Sequence, residues 1–259
     1  LKLNLMQLMN KMKLRYLHYL IMIIFLSNCA SSKKINYFQN NDDSVSKELL
    51  VNFEPPLQIG DILTINVSAI EQEAAIPFNL FESQNVANQI PLPYIVDAEG
   101  TINFPVIGKI KVAELTTSQL TTHLTKALSP FLKKPIVNIR ITNFKVTILG
   151  DVKNPGSYSI LNERISIIEA LGLAGDLTIY GDRKNITLIK EQNGKRTFKN
   201  IDLTNMELFN SPYFYLSQND TLYIASNKTK VNSSSVGPNT SVILSSVSIL
   251  TTLIAILVR

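Results

Sequence analysis

Strict alternation of apolar and polar residues constrains this chain most. In "GDILTINVSAI", Ile62, Thr64, Asn66 and Ser68 alternate with Leu63, Ile65, Val67 and Ala69, the period of a strand with one buried face, entered from a Gly-Asp turn. "IVNIRITNFKVTILG" alternates again as one long strand or two, and "NDTLYIAS" repeats the first pattern. Only two stretches of the body switch to helical spacing. Thr116 with Gln119, and Ser166 with Glu169, have the spacing of a capping box, in which the cap hydroxyl and the residue three positions on satisfy each other's backbone N–H groups. After the first box, Leu120, Leu124, Ala127, Leu128 and Phe131 share one helix face, and Pro135 stops the run. Gly172 or Gly175 ends the second helix. Two β-rich units with one helix each predict an α+β fold rather than alternating βαβ.

Turn chemistry fills in the units. "YIVDAEGTINFPVIGKIKV" reads as two β runs about Ala98-Glu99-Gly100. Asn154-Pro155-Gly156 has Pro and Gly where a type II turn wants them. Asn193-Gly194 inside "NITLIKEQNGKRTFKNIDL" predicts a tight hairpin. Residues 71–93, with three prolines, read as an insertion or long loop, and the boundary between the units falls near Lys145.

The ends differ from the body. Lys11, Lys13 and Arg15 precede an apolar run from Leu17 to Leu26, interrupted by His18, and small polar residues follow. This is the plan of a secretory signal, too short for a membrane span. Leu26-Ser27-Asn28-Cys29 resembles the bacterial lipoprotein signal, in which the cysteine becomes the lipidated first residue; Asn28 departs from the usual small residue there. Cys29 is the only cysteine, so an internal disulfide is excluded, and the two histidines, His18 and His123, offer it no evident base.

The expected domains are a signal peptide at 1–28, a tether at 29–53, a first body domain at 54–144 and a second at 145–226. A Ser/Asn/Lys/Gly/Pro-rich linker at 227–240 and a tail at 241–259 follow. The chain carries 25 Lys+Arg against 20 Asp+Glu, but four cations and no carboxylate precede Cys29. The processed chain is therefore almost neutral, with no electrostatic case for nucleic acid.

Ser241 to Val258 holds no charge and would be about 27 Å long as a helix, which predicts a C-terminal transmembrane helix, with a buried helix or strand as the alternative. Ser241, Ser245, Ser248, Thr252 and Ala255 recur at steps of three and four. They form a stripe of small residues fitted to helix packing or to a pore.

"GDILTINV", "VDAEGTINFPVIGKIKV" and "LTTSQLTTHLTKALSPFLKKPIVNIRI" look like the export domain of the Wza-type outer-membrane polysaccharide export proteins. "FKVTILGDVKNPGSYSILNERISIIEALGLAGDLTIYGDR" resembles the SLBB β-grasp domain that follows it in that family. The resemblance runs from about Pro55 to Ser226. It implies a lipoprotein of the outer membrane with its body in the periplasm. Such a protein would be one subunit of a homo-oligomeric ring exporting capsular or exopolysaccharide, with membrane lipid, the polymer and an inner-membrane co-polymerase or tyrosine-kinase-type protein as partners. Two departures stand out: one β-grasp repeat instead of several, and a tail with less polar face than a water-filled barrel of helices needs.

No cofactor, metal or enzymatic activity is expected. The sequence has no P-loop, Gly-x-Gly-x-x-Gly or Gly-x-Ser-x-Gly, and its histidines and cysteine lie too far apart for a metal site. Glu169, Asp176 and Asp182 are read as cap, turn and solvated charge in preference to acids for glycoside cleavage. Tyr180 and Arg183 are candidates for glycan or inter-subunit contact. The alternatives to a conduit are a glycan-binding lipoprotein without transport and a polysaccharide-processing enzyme.

Overall fold

The computed structural model describes residues 36–39, 53–82, 90–192, 194–235 and 240–257. The signal segment, Cys29 and most of the proposed tether lie outside the described residues.

The first domain is built on strand β1 (Ile62–Ser68), which lies between β2 (Tyr94–Ile95) and β5 (Ile136–Ile141), antiparallel to both. Its alternation is as expected: Leu63, Ile65 and Val67 are buried, in one core cluster with the inward residues of helix α2 (Thr117–Leu128). The Thr116/Gln119 capping box is formed on both sides and aims Leu120, Leu124 and Leu128 into the core. Phe131 is a correction. The helix stops at Leu128, so its period does not carry on, and Leu132 is buried while Phe131 stays on the surface.

The 98–100 segment turns as expected, with Gly100 at φ +73 and its N–H donating to the Asp97 carbonyl at 2.8 Å. The ladder hairpin itself comes later. β3 (Thr101–Phe104) pairs with β4 (Gly108–Lys111) across Pro105-Val106-Ile107, while β2 joins β1. The 71–93 insertion contains a short helix, α1 (Gln72–Ala75), and a 3-10 turn (Ile76–Phe78).

The second domain wraps a five-stranded sheet of order β10-β9-β12-β6-β7. The strands are β6 (Lys145–Gly150), β7 (Gly156–Ser159), β9 (Gly181–Gln192), β10 (Lys195–Ile201) and β12 (Thr221–Ser226). β6 and β12, the first and last strands of the domain, are parallel; the other pairs are antiparallel. Gly150 cannot be replaced at this junction: it sits at φ +92, and a Cβ there would lie 2.0 Å from the Ile224 carbonyl oxygen. Helix α3 (Ile167–Leu173) starts at the formed Ser166/Glu169 box. Gly175, at φ +75, ends it, while Gly172 lies inside the helix. A two-stranded pair, β8 (Ile165–Ser166) with β11 (Tyr215–Leu216), completes the domain. Gly156 is a second correction: it opens β7 without the positive φ that a type II turn requires at that position.

Each domain has its own buried cluster, and Ile141 packs against both. The mixed helix and sheet content is α+β, as expected.

Beyond β12 the segment read as a linker forms helix α4 (Lys228–Ser235), pinned where Lys230 pairs with the buried carboxylate of Asp151. Helix α5 (Thr240–Leu257) is the tail. The expectation of a membrane-spanning tail is not supported: among the described residues no helix is long and apolar enough to cross a membrane. Eighteen residues reach only about 27 Å against a hydrocarbon core of about 30 Å.

Candidate functional site

A cleft of about 950 Å³ opens where the two domains meet. The first domain contributes Phe53, Glu54, Pro55, Thr117 and Arg140; the second contributes Asn162, Glu163, Arg164, Phe214 and Tyr215. Each wall follows from local structure. Thr117 opens α2 behind its cap, Arg140 sits on the exposed side of β5, and Tyr215 is carried by the short β8–β11 pair. Phe53 crosses the gap and stacks on Tyr215, ring centroids 5.3 Å apart and 12° from parallel. The Arg164 guanidinium also lies over the Tyr215 ring, 5.1 Å from its centroid. Stacking and cation–π contact thus hold the floor of the cleft together.

The charges of the cleft are mixed. Glu54 accepts from the Ser118 hydroxyl at 2.8 Å, and this hydrogen bond holds its carboxyl below the usual range. Arg140, Arg164 and Glu163 complete a polar rim of mixed charge. Sequence reasoning missed Phe53, Arg140, Arg164 and Tyr215, which come from four separate segments and carry no shared spacing.

The acids weighed for catalysis are each engaged by their own surroundings. Glu169 accepts from the Ser166 backbone N–H and hydroxyl, both at 2.8 Å. Asp176 accepts from the Tyr37 hydroxyl and the Leu177 N–H. Asp182 accepts from the Lys184 N–H at 3.1 Å.

One further cluster resembles a nucleophile site: Lys190 Nζ stands 3.2 Å from the Ser217 hydroxyl. The same ammonium is 2.6 Å from the buried Asp220 carboxylate, so the lysine is held in an ion pair. Burial pushes the Asp220 carboxyl up, against the pull of Lys190. Among the described residues no group of His, Cys, Asp or Glu is arranged to hold a metal ion.

Of the residues marked for glycan or subunit contact, Tyr180 is exposed and Arg183 is only 6% exposed. Arg183 is covered by Tyr37, whose ring centroid is 5.3 Å from the guanidinium carbon, and it donates to the Gly181 carbonyl at 3.0 Å. Its guanidinium is therefore largely buried within the second domain. The stripe positions Ser245, Ser248 and Thr252 lie in α5, where the Thr252 hydroxyl donates to the Ser248 carbonyl. Ser241 and Ala255 lie on the same helix.

Comparison with known proteins agrees with this layout. The family described as "Polysaccharide biosynthesis/export protein" matches residues 52–142, and the SLBB domain matches 145–197. The chain thus carries an export domain of that family followed by an SLBB domain. The "EPS I polysaccharide export outer membrane protein EpsA" of Ralstonia solanacearum is 30% identical over 161 residues, 57% of this chain and 42% of that protein. The protein of the same name from Ralstonia nicotianae is 34% identical over 101 residues, 38% of this chain and 26% of that protein. The chain thus spans less than half the length of the curated relatives it matches.

Proposed function

We propose that this protein is a subunit of an oligomeric channel exporting capsular or exopolysaccharide across the periplasm and outer membrane. It sits at the outer membrane, lipid-anchored through Cys29, with its body in the periplasm. The observation that carries this reading is the succession of an export domain and an SLBB domain, joined with no insertion, in a family whose relatives are named for polysaccharide export at the outer membrane. Copies assemble as a ring and work with an inner-membrane co-polymerase or tyrosine-kinase-type partner. In this reading the tail is an assembly element. Val242, Leu244 and Ile256 are exposed on α5, and apolar side chains left open in this way call for coverage by neighbouring helices through the Ser/Thr stripe.

The test is removal of the protein followed by return of the parent chain, reading surface polysaccharide, together with the native mass of the detergent-extracted protein. Export restored by a species of defined multiple mass is expected. Export unchanged in the absence of the protein overturns the reading. The cleft favours a second reading, a glycan-binding lipoprotein without transport, and a monomeric native mass with retained polymer binding would support it.

A further inference from the structure

We propose that strand β10 is a membrane-contact edge, lying against the anionic headgroups of the membrane that carries the lipid anchor. This rests on the reading of Cys29 as the anchor. β10 is the outermost strand of the five-stranded sheet, paired with β9 on one side and with no strand on the other among the described residues. Six of its seven residues are exposed. It carries Lys195, Arg196 and Lys199 and no carboxylate of its own; Arg196 pairs with Glu191 of β9 at 3.0 Å, and Lys199 lies over the Tyr213 ring.

Edge lysines by themselves deter pairing with foreign strands. Phe198 does not serve that purpose. It stands in the middle of the strand, 62% exposed, and an aromatic ring among cations suits the boundary between headgroups and acyl chains.

The second observation is where the chain from the anchor arrives. The Phe38 N–H donates to the Leu203 carbonyl at 3.1 Å and the Gln39 N–H to the Thr204 carbonyl at 2.8 Å, two to three residues past the end of β10. Phe38 also packs its ring 5.0 Å from that of Phe209. Eight peptide units separate Cys29 from Tyr37, a covalent reach of at most about 29 Å. A lipid on Cys29 would therefore leave Tyr37 no more than about 29 Å from the bilayer, a distance that allows the β10 cations to meet headgroups of opposite charge.

The test uses the mature chain with Cys29→Ser, so that no acyl chain contributes and an introduced cysteine is unique. An environment-sensitive dye is placed at Thr197→Cys on β10 or at Ser157→Cys on β7, the opposite edge of the sheet. Vesicles containing phosphatidylglycerol should shift the emission at 197 to the blue. Vesicles of phosphatidylcholine alone should not, raised salt should reverse the shift, and the dye at 157 should report nothing. Lys195→Gln with Lys199→Gln should abolish the shift at 197.

No shift at 197, an equal shift at 157, or a shift that survives the double exchange overturns the proposal. So does a shift produced by a soluble acidic polysaccharide and not by vesicles, which would assign the edge to the polymer. The mass of the processed parent chain reports lipidation separately, so failure of the anchor reading is distinguishable from failure of the membrane edge.

Discussion

Gln218 donates through Nε2 to the main-chain carbonyl of Asn143 at 2.8 Å, and the side chain of Asn143 reaches back into the other domain. There its Oδ1 accepts from the Ile62 N–H at 2.9 Å and its Nδ2 donates to the Gly60 carbonyl at 3.0 Å. Gln218 Oε1 accepts from the Lys145 N–H, 2.8 Å away. Two amide side chains thus clasp the short join between the domains and fix the walls of the cleft relative to each other. Gln218→Ala leaves two backbone groups without these partners and should cost about 1–3 kcal/mol. The expected signature is a split of one unfolding transition into two, with faster proteolysis between Thr142 and Lys145. A single, unshifted transition would show that Ile141 and the Phe53–Tyr215 stack suffice.

The cap of α3 should be purely structural. Ser166→Ala removes the acceptor for the Glu169 N–H and should cost about 1 kcal/mol. A urea titration should show a lower midpoint with an unchanged slope. Export should persist at permissive temperature, although Ser166 lines the cleft. Lost export from a stable, assembled variant would give Ser166 a role beyond capping.

Asp61 makes the first domain sensitive to acid in an unusual direction. Its carboxylate is 1% exposed, with Oδ2 accepting from the Gln58 N–H at 2.8 Å and Oδ1 without a partner. Burial pushes its pKa up from 3.8 to about 6. The folded protein therefore binds this proton more tightly than the unfolded chain does. The contribution of Asp61 to stability grows as pH falls from about 6 to about 4 and is lost as pH rises back through 6. Asp61→Asn should remove up to about 1.4 kcal/mol per pH unit of that slope. Unfolding of parent and variant at several pH values across the window checks this, and parallel curves would contradict it.

Cys29→Ser should leave an unprocessed precursor that a fatty-acid probe does not label. Two or three acyl chains, at about 0.8 kcal/mol per buried methylene, make a lasting anchor where one does not. A variant still labelled and still fractionating with outer membrane would remove Cys29 as the attachment point.

Replacing Ser245 and Ser248 together by Leu should crowd the α5 stripe. Weaker crosslinked oligomer and less surface polymer are expected, with much smaller effects from Ser246→Leu, which lies off the stripe. Equal effects from the two variants would refute the stripe. Normal export by a chain ending at Thr240 would show that α5 is dispensable for assembly.

What the sequence determined alone is what neighbours along the chain decide. Thr116 with Gln119, Ser166 with Glu169 and Asn193 with Gly194 are four- and two-residue codes whose partners are covalently close, so both helices and the β9–β10 hairpin were legible. The same holds for the burial of Leu63, Ile65 and Val67, which follows from alternation. Phe131 and Gly156 misled because a helical period says nothing of where the helix stops, and a Pro-Gly pair fits more than one backbone path.

Tertiary structure decided everything that joins distant segments. Only the parallel pairing of β6 with β12, more than seventy residues apart, closes the second domain. Only the seating of Tyr37 over Arg183 turns a residue that looked free to touch sugar into a buried one. The cleft arises in the same way, from Phe53 meeting Tyr215 across 162 residues. No local pattern encodes such contacts, because each depends on how whole buried faces pack once the local elements have formed.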